Sequence, residues 1–208
     1  MVNLVNYVEL SIKKLEEENK KLYNLIKKDY SYDCVIFVAK GSYLIGRDLA
    51  KYNDTPLLEI RAKRRGGKIK KIISPLLQFI PKKMKLKLRS KEVNSNYHDE
   101  NSERFVVYDE LIYSNYKKIK KILLVDDSID TGNTLKAVLR NLKDYFKDAE
   151  IKVAALNVFD KSKRLVNTDF TLYENTILIG PWSNDSKEHS KYNKMYEEWQ
   201  KKYSSDLK

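Results

Sequence analysis

Apolar and polar positions along the chain follow two periods. Between residues 3 and 29, Leu4, Val8, Ile12, Leu15, Leu22, Leu25 and Ile26 recur at helical spacing with charged residues between them. That spacing predicts one or two amphipathic helices. CVIFVA (34–39) is short, rich in β-branched residues and continuous, as in a strand buried on both faces. It runs into Lys40-Gly41-Ser42, after which SYLIGRDLAKY (42–52) reads as a helix. TPLLEIRA (55–62) and FVVYDE (105–110) predict strands, with residues 63–104 irregular or basic between them. KILLVDD (121–127) predicts a strand and TLKAVLRNLKDYF (134–146) a helix. IKVAALNVF (151–159) and NTILIGPW (175–182) are further strands, and SKEHSKYNKMYEEWQKKY (186–203) a closing helix. Strands alternating with helices predict an α/β fold, an open and mainly parallel sheet flanked by helices. Ligands in such sheets bind beyond the carboxyl ends of the strands, where Asp126, Asp127 and Lys40-Gly41 are expected.

A chain of 208 residues that is 42% apolar can bury one core, so a single domain over residues 1–208 is expected. It contains no apolar run of membrane-spanning length. The N-terminal stretch lacks the basic start and apolar run of a secretion signal. The sole cysteine, Cys34, lies inside CVIFV and reads as a buried structural thiol in a reducing, cytoplasmic setting. The net charge of +12 is unevenly spread. Residues 61–91 hold thirteen Lys or Arg and no acid, which leaves the rest of the chain near neutral, at −1. So concentrated a field draws polyanions to one place.

ILLVDDSIDTGNT (122–134) carries the chemistry. DTGNT precedes a helix, whose first N–H groups are unpaired and whose dipole favours an anion. Gly132 permits close approach, and Thr131 and Thr134 add hydroxyls, so the turn suits a phosphate. A plain helix cap is the alternative. Asp126 and Asp127 would repel that phosphate unless they met hydroxyl donors, such as the vicinal hydroxyls of a sugar, or a divalent ion. The implied ligand is a ribose phosphorylated at one end.

This stretch resembles the phosphoribosyl-diphosphate-binding motif of the type I phosphoribosyltransferases. The resemblance implies that Asp126 and Asp127 hold the ribose hydroxyls, and that Asp130, Thr131, Gly132, Asn133 and Thr134 hold the 5-phosphate. VIFVAKGSYLIGRDLA (35–50) resembles the diphosphate loop of the hypoxanthine-guanine and xanthine branch, with Ser42 replacing a glycine. In the family this loop can hold a strained peptide bond. Lys40, Gly41 and Ser42 would face the diphosphate, and Arg61 and Lys63, in EIRAKRR (59–65), would join them. Asp130 would accept the proton lost by the acceptor, so Asp130, Lys40 and Arg61 are the implied catalytic residues. Lys161, Ile177 and Trp182 would line the acceptor, where Ile177 stands in place of the family's aromatic ring. Mg2+ is implied as cofactor, with Asp126, Asp127 and Asp185 as metal residues. The resemblance also implies a small C-terminal hood over 160–190 and a homo-oligomer.

Residues 61–104 read as a basic amphipathic insertion or active-site lid. Ile69, Ile72, Ile73, Leu76, Leu77 and Ile80 share a helical face, bounded by Pro75 and Pro81 and flanked by lysines. Three partners fit residues 66–91: the domain's own site, as a lid; an anionic membrane surface; or nucleic acid, which the lone Phe79 disfavours. The functions that follow are phosphoribosyl transfer from Mg-phosphoribosyl diphosphate to a purine base, transfer to a glycan or polyprenyl-linked acceptor, and RNA-binding regulation without catalysis. The motifs favour the first.

Overall fold

The computed structural model describes residues 6–64 and 104–205. Six strands form the main sheet: β2 (Cys34–Val38), β3 (Leu57–Arg64), β4 (Arg104–Val107), β5 (Lys121–Ile129), β6 (Glu150–Val158) and β7 (Phe170–Glu174). Their order is β4-β3-β2-β5-β6-β7, parallel throughout except for β4, which runs antiparallel to β3 at one edge. A separate two-stranded ladder joins β1 (Tyr7–Glu9) to β8 (Ile177–Ile179). The helices are α1 (Ile12–Asp29), α2 (Tyr43–Tyr52), α3 (Glu110–Ser114), α4 (Asn133–Tyr145) and α5 (His189–Ser205).

Strand periodicity divides the core into two layers, because successive side chains leave opposite faces of the sheet. Val35, Phe37, Leu123, Val125, Ala154 and Leu156 pack with Leu15, Leu22 and Ile26 of α1, Leu49 of α2, and Tyr192 and Tyr196 of α5. Cys34, Ile36, Ile122, Leu124, Val153 and Ala155 pack with Leu135, Val138 and Leu142 of α4. A sheet covered on both sides needs continuous apolar strands, which is why CVIFV and ILLV carry no alternation. Cys34 is fully buried, and burial pushes its thiol up to about 12, as befits a structural residue. Asn19 of α1 ties the helices on its side together, donating from Nδ2 to Asp48 Oδ2 (2.8 Å) and Leu44 O (3.3 Å) in α2.

Several boundaries differ from the sequence reading. The helix expected over 3–29 starts only at Ile12, where the Ser11 hydroxyl caps it by accepting from Lys14 N–H (3.1 Å). Val8 instead joins a strand, because β8 supplies a ladder partner that local periodicity cannot reveal. β5 includes both acids, as expected, and runs two residues further, to Ile129, so Asp126 and Asp127 project from the strand itself. β3 is displaced toward the basic segment and ends at Arg64. The strand expected over 175–182 shrinks to three residues and leaves the main sheet. β7 takes the sheet edge instead, and α3 adds a helix where none was expected. Residues 66–91, with the lid, membrane and nucleic-acid readings placed on them, lie outside the described residues.

Candidate functional site

The carboxyl ends of β2, β3 and β5 converge on three features. The first is the acid pair. Asp126 is buried and shares the face of Ile122 and Leu124, while Asp127 shares the opposite face with Leu123 and Val125. The Asp127 N–H donates to Asp126 Oδ1 (2.9 Å). Burial raises both pKa values. Asp126 is held well above the usual carboxylate range by desolvation and by the charge of Asp127. Asp127 is pushed up to about 6 by desolvation and by the charge of Asp130. Among the described residues no Lys or Arg makes an ion pair with either acid. A buried carboxylate beside a half-buried one, with no cation among the described residues, is costly, and the pair fits hydroxyl donors or a divalent ion.

The second feature is the turn between β5 and α4. Gly132 is the N-cap, at φ 81°, and no side chain caps the helix. The left-handed backbone demands glycine, and a Cβ there would also lie 3.0 Å from Val166 Cγ2. The expected side-chain cap by Thr or Asp is therefore not formed, which leaves the first amides of α4 to a ligand. Asp130 is exposed, Thr131, Asn133 and Thr134 are half-buried, and Asn133 Nδ2 donates to Thr131 Oγ1 (3.4 Å).

The third feature is the loop after β2. The Ala39–Lys40 peptide bond is cis. Gly41 lies against the acid pair so closely that a Cβ would stand 2.4 Å from Asp127 Oδ1. Loop and acid therefore form one surface, and only a residue without a side chain fits between them. Ser42 is fully buried and its hydroxyl turns back to donate to Val38 O (2.6 Å). Its backbone, at φ −86° and ψ 6°, is open to any residue, so replacing glycine here does not obstruct the loop mouth. The Lys40 side chain is exposed, and its Nζ donates to Asn193 Oδ1 of α5 (2.7 Å).

Arg61 starts beside this loop, because Ala39 N–H donates to Ile60 O (2.8 Å). Its guanidinium pairs with Glu59 and donates from Nη2 to the Tyr196 hydroxyl (3.3 Å). The backbone of Lys63 lies in β3 opposite Phe105; its side chain lies outside the described residues. Lys161, on the short 3-10 turn after β6 (Asp160–Arg164), is half-buried with Nζ 5.9 Å from the centre of the Phe159 ring. Ile177 is buried and paired with Tyr7 in the β1–β8 ladder. Trp182 is half-buried, between Asp127 and the Tyr192 ring (6.4 Å between centres).

Asp185 is half-buried in the turn after Trp182. Among the described residues no three His, Cys, Asp or Glu side chains gather to hold a metal ion. A magnesium ion would take one or two carboxylates and complete its shell with water and substrate phosphates, which the Asp126–Asp127 pair can supply.

Sequence reasoning missed Glu59 and the whole face of α5 that reaches the site. The Tyr192 hydroxyl donates to the Lys40 carbonyl and lies 3.1 Å from the Gly41 carbonyl. Glu59 was legible in principle, as an acid inside the apolar run LLEI on the same strand face as Arg61.

Residues 10–188 match the phosphoribosyl transferase domain family, and the chain belongs to that family. It is accordingly a phosphoribosyltransferase enzyme. A purine phosphoribosyltransferase from Pyrococcus horikoshii Ot3 is similar in structure, with a TM-score of 0.59 and 20% identity over 87% of this chain and 96% of that one. A Neisseria gonorrhoeae protein with bound ppGpp gives a TM-score of 0.62 at 17% identity, covering 94% of this chain and 98% of that one. The Helicobacter pylori xanthine-guanine-hypoxanthine phosphoribosyltransferase gives 0.57 at 16% identity, covering 88% and 99%. None of the curated protein sequences matches the chain. Among the described residues no helix is long and apolar enough to cross a membrane.

Proposed function

We propose that the enzyme transfers the 5-phosphoribosyl group from phosphoribosyl diphosphate, bound with Mg2+, to a ring nitrogen of a purine base. The observation that carries this reading is the Asp126–Asp127 pair, one acid buried and the other half-buried, which meets no cation among the described residues and is set between an uncapped helix start and the Gly41 loop. The two carboxylates accept hydrogen bonds from the ribose hydroxyls, being acceptor-only when ionised. The amides of residues 131–134, with the hydroxyls of Thr131 and Thr134, hold the 5-phosphate at the positive end of α4.

In the reaction the bond from the anomeric carbon to the diphosphate oxygen breaks, and a bond to the base nitrogen forms. Diphosphate leaves with the bonding electrons, and its growing charge is met by the Lys40–Ser42 loop, Arg61 and Lys63. The nitrogen's proton passes to the Asp130 carboxylate, which lies close enough to the pair for its charge to be felt at both acids. When bound, Mg2+ supplies charge neutralisation to the diphosphate. Lys161, Ile177 and Trp182 bound the acceptor.

The names of two fold neighbours set the first bases to try. The test is diphosphate release from phosphoribosyl diphosphate and Mg2+ with hypoxanthine, guanine, xanthine and adenine. Release that depends on one of these bases is expected. A protein that binds phosphoribosyl diphosphate yet turns over with none of them would remove the purine assignment.

A further inference from the structure

The leaving diphosphate is assigned above to Lys40, Gly41 and Arg61, and α5 fastens both strand ends that carry them. Tyr192, fully buried, holds the carbonyls of Lys40 and Gly41, and Asn193 holds the Lys40 side chain. One turn further along, the Tyr196 hydroxyl donates to Glu59 Oε1 (2.5 Å), and a turn beyond that Gln200 Nε2 donates to Glu59 Oε2 (3.1 Å). Positions 192, 196 and 200 share one helix face. Glu59 is only 8% exposed, and its carboxylate also receives Arg61 Nε. The Arg61 side chain remains 44% exposed, beside a cleft of about 280 Å³ lined by Glu59, Val107, Tyr108, Asp109 and Gln200.

We propose that Tyr196 is a positioning residue for the leaving diphosphate, acting through Glu59 on the direction of the Arg61 guanidinium. The inference rests on the diphosphate role given to Arg61 above. A carboxylate and a guanidinium left to themselves pair as fork to fork, through two parallel hydrogen bonds. Here Tyr196 and Gln200 occupy lone pairs of Glu59, so Arg61 reaches it through Nε. Nη2 rests on the Tyr196 oxygen. Among the described residues no other acceptor meets the guanidinium, which leaves its remaining hydrogens toward an anion. Without the Tyr196 hydroxyl, Glu59 has room to take a second guanidinium nitrogen and turn the fork away from the ligand.

Tyr196→Phe removes the hydroxyl and keeps the ring against Phe37, Tyr43 and Trp199. Calorimetry with Mg2+ compares phosphoribosyl diphosphate with ribose 5-phosphate, which lacks the diphosphate. We expect Tyr196→Phe to weaken phosphoribosyl diphosphate about tenfold, the size of one hydrogen bond to a charged partner. Ribose 5-phosphate affinity should be unchanged. In an Arg61→Ala background the same substitution should have no further effect. In a Glu59→Gln background, where the neutral amide no longer draws the guanidinium fork to fork, Tyr196→Phe should likewise have no further effect. Equal weakening of both ligands, or no change in either, overturns the proposal while the wild type still binds both. A wild type that binds neither ligand removes the diphosphate reading itself.

Discussion

Replacing Asp127 by Asn removes a charge that the fold holds at a disadvantage, and the expected result is a more stable protein that has lost its sugar site. Asp127 has its pKa raised from an ordinary 3.8 to about 6. Between those values the folded state binds a proton that the unfolded state has released, so stability falls as pH rises through that window. Each tenfold change in proton affinity is worth about 1.4 kcal/mol, so the ionised carboxylate costs the folded protein about 3 kcal/mol above pH 6. Asn keeps the side-chain shape. Urea unfolding of wild type and Asp127→Asn, measured from pH 4 to pH 8, checks this. The two should coincide near pH 4 and separate in favour of the variant as pH rises past 6. Ligand binding runs the other way, because ribose hydroxyls donate to the ionised form. Wild-type affinity for phosphoribosyl diphosphate should therefore tighten as pH rises through about 6, and the variant should show none of that gain. An Asp127→Asn protein that is less stable at pH 8, with the pH slope of the wild type, would refute the reasoning.

Other substitutions probe the same surface. Gly41→Ala puts a methyl group 2.4 Å from Asp127 Oδ1; turnover should fall at least about tenfold, one bond's worth of ligand affinity, while the circular dichroism spectrum is retained. Gly132→Ala adds left-handed strain and a 3.0 Å contact with Val166, and should cost about 1–3 kcal/mol in thermal unfolding as well as 5-phosphate affinity. Ser42→Gly should cost about 1 kcal/mol of stability by deleting the bond to Val38, with little effect on ligand affinity in calorimetry. Leu142→Ala, in the α4 layer away from the ligand, should cost about 2–5 kcal/mol in urea while leaving the KM for phosphoribosyl diphosphate unchanged.

The parts of the fold that were legible in the sequence are those whose pattern is local. CVIFV and ILLV announce doubly covered strands, and α4 shows Leu135, Val138 and Leu142 at one-face spacing before any partner is known. The acids and the turn were legible because their residue types are costly without a ligand. What escaped depends on distant partners. Val8 has the spacing of a helix residue and the neighbour of a strand residue. Glu59 reads as an oddity until Tyr196 and Gln200, far along the chain, explain it. Ser42 reads as a departure at the loop mouth, because its hydroxyl's partner, Val38 O, is a backbone atom that no side-chain pattern records.

The β1–β8 ladder has a consequence for the order of assembly. Its two strands lie at opposite ends of the chain, and beside them Ile12 N–H donates to Glu188 Oε2 (2.6 Å) across 176 residues. Closing so long a loop is slow, because its entropy is lost before any contact rewards it. On the ribosome the first strand must therefore wait, its edge unmatched, until residue 179 has emerged, while β2, β3 and β5 can already pair. The wall beside Ile177 is thus put up after the acid pair and the Gly41 loop, and a nascent chain halted short of it would carry both without a finished rim.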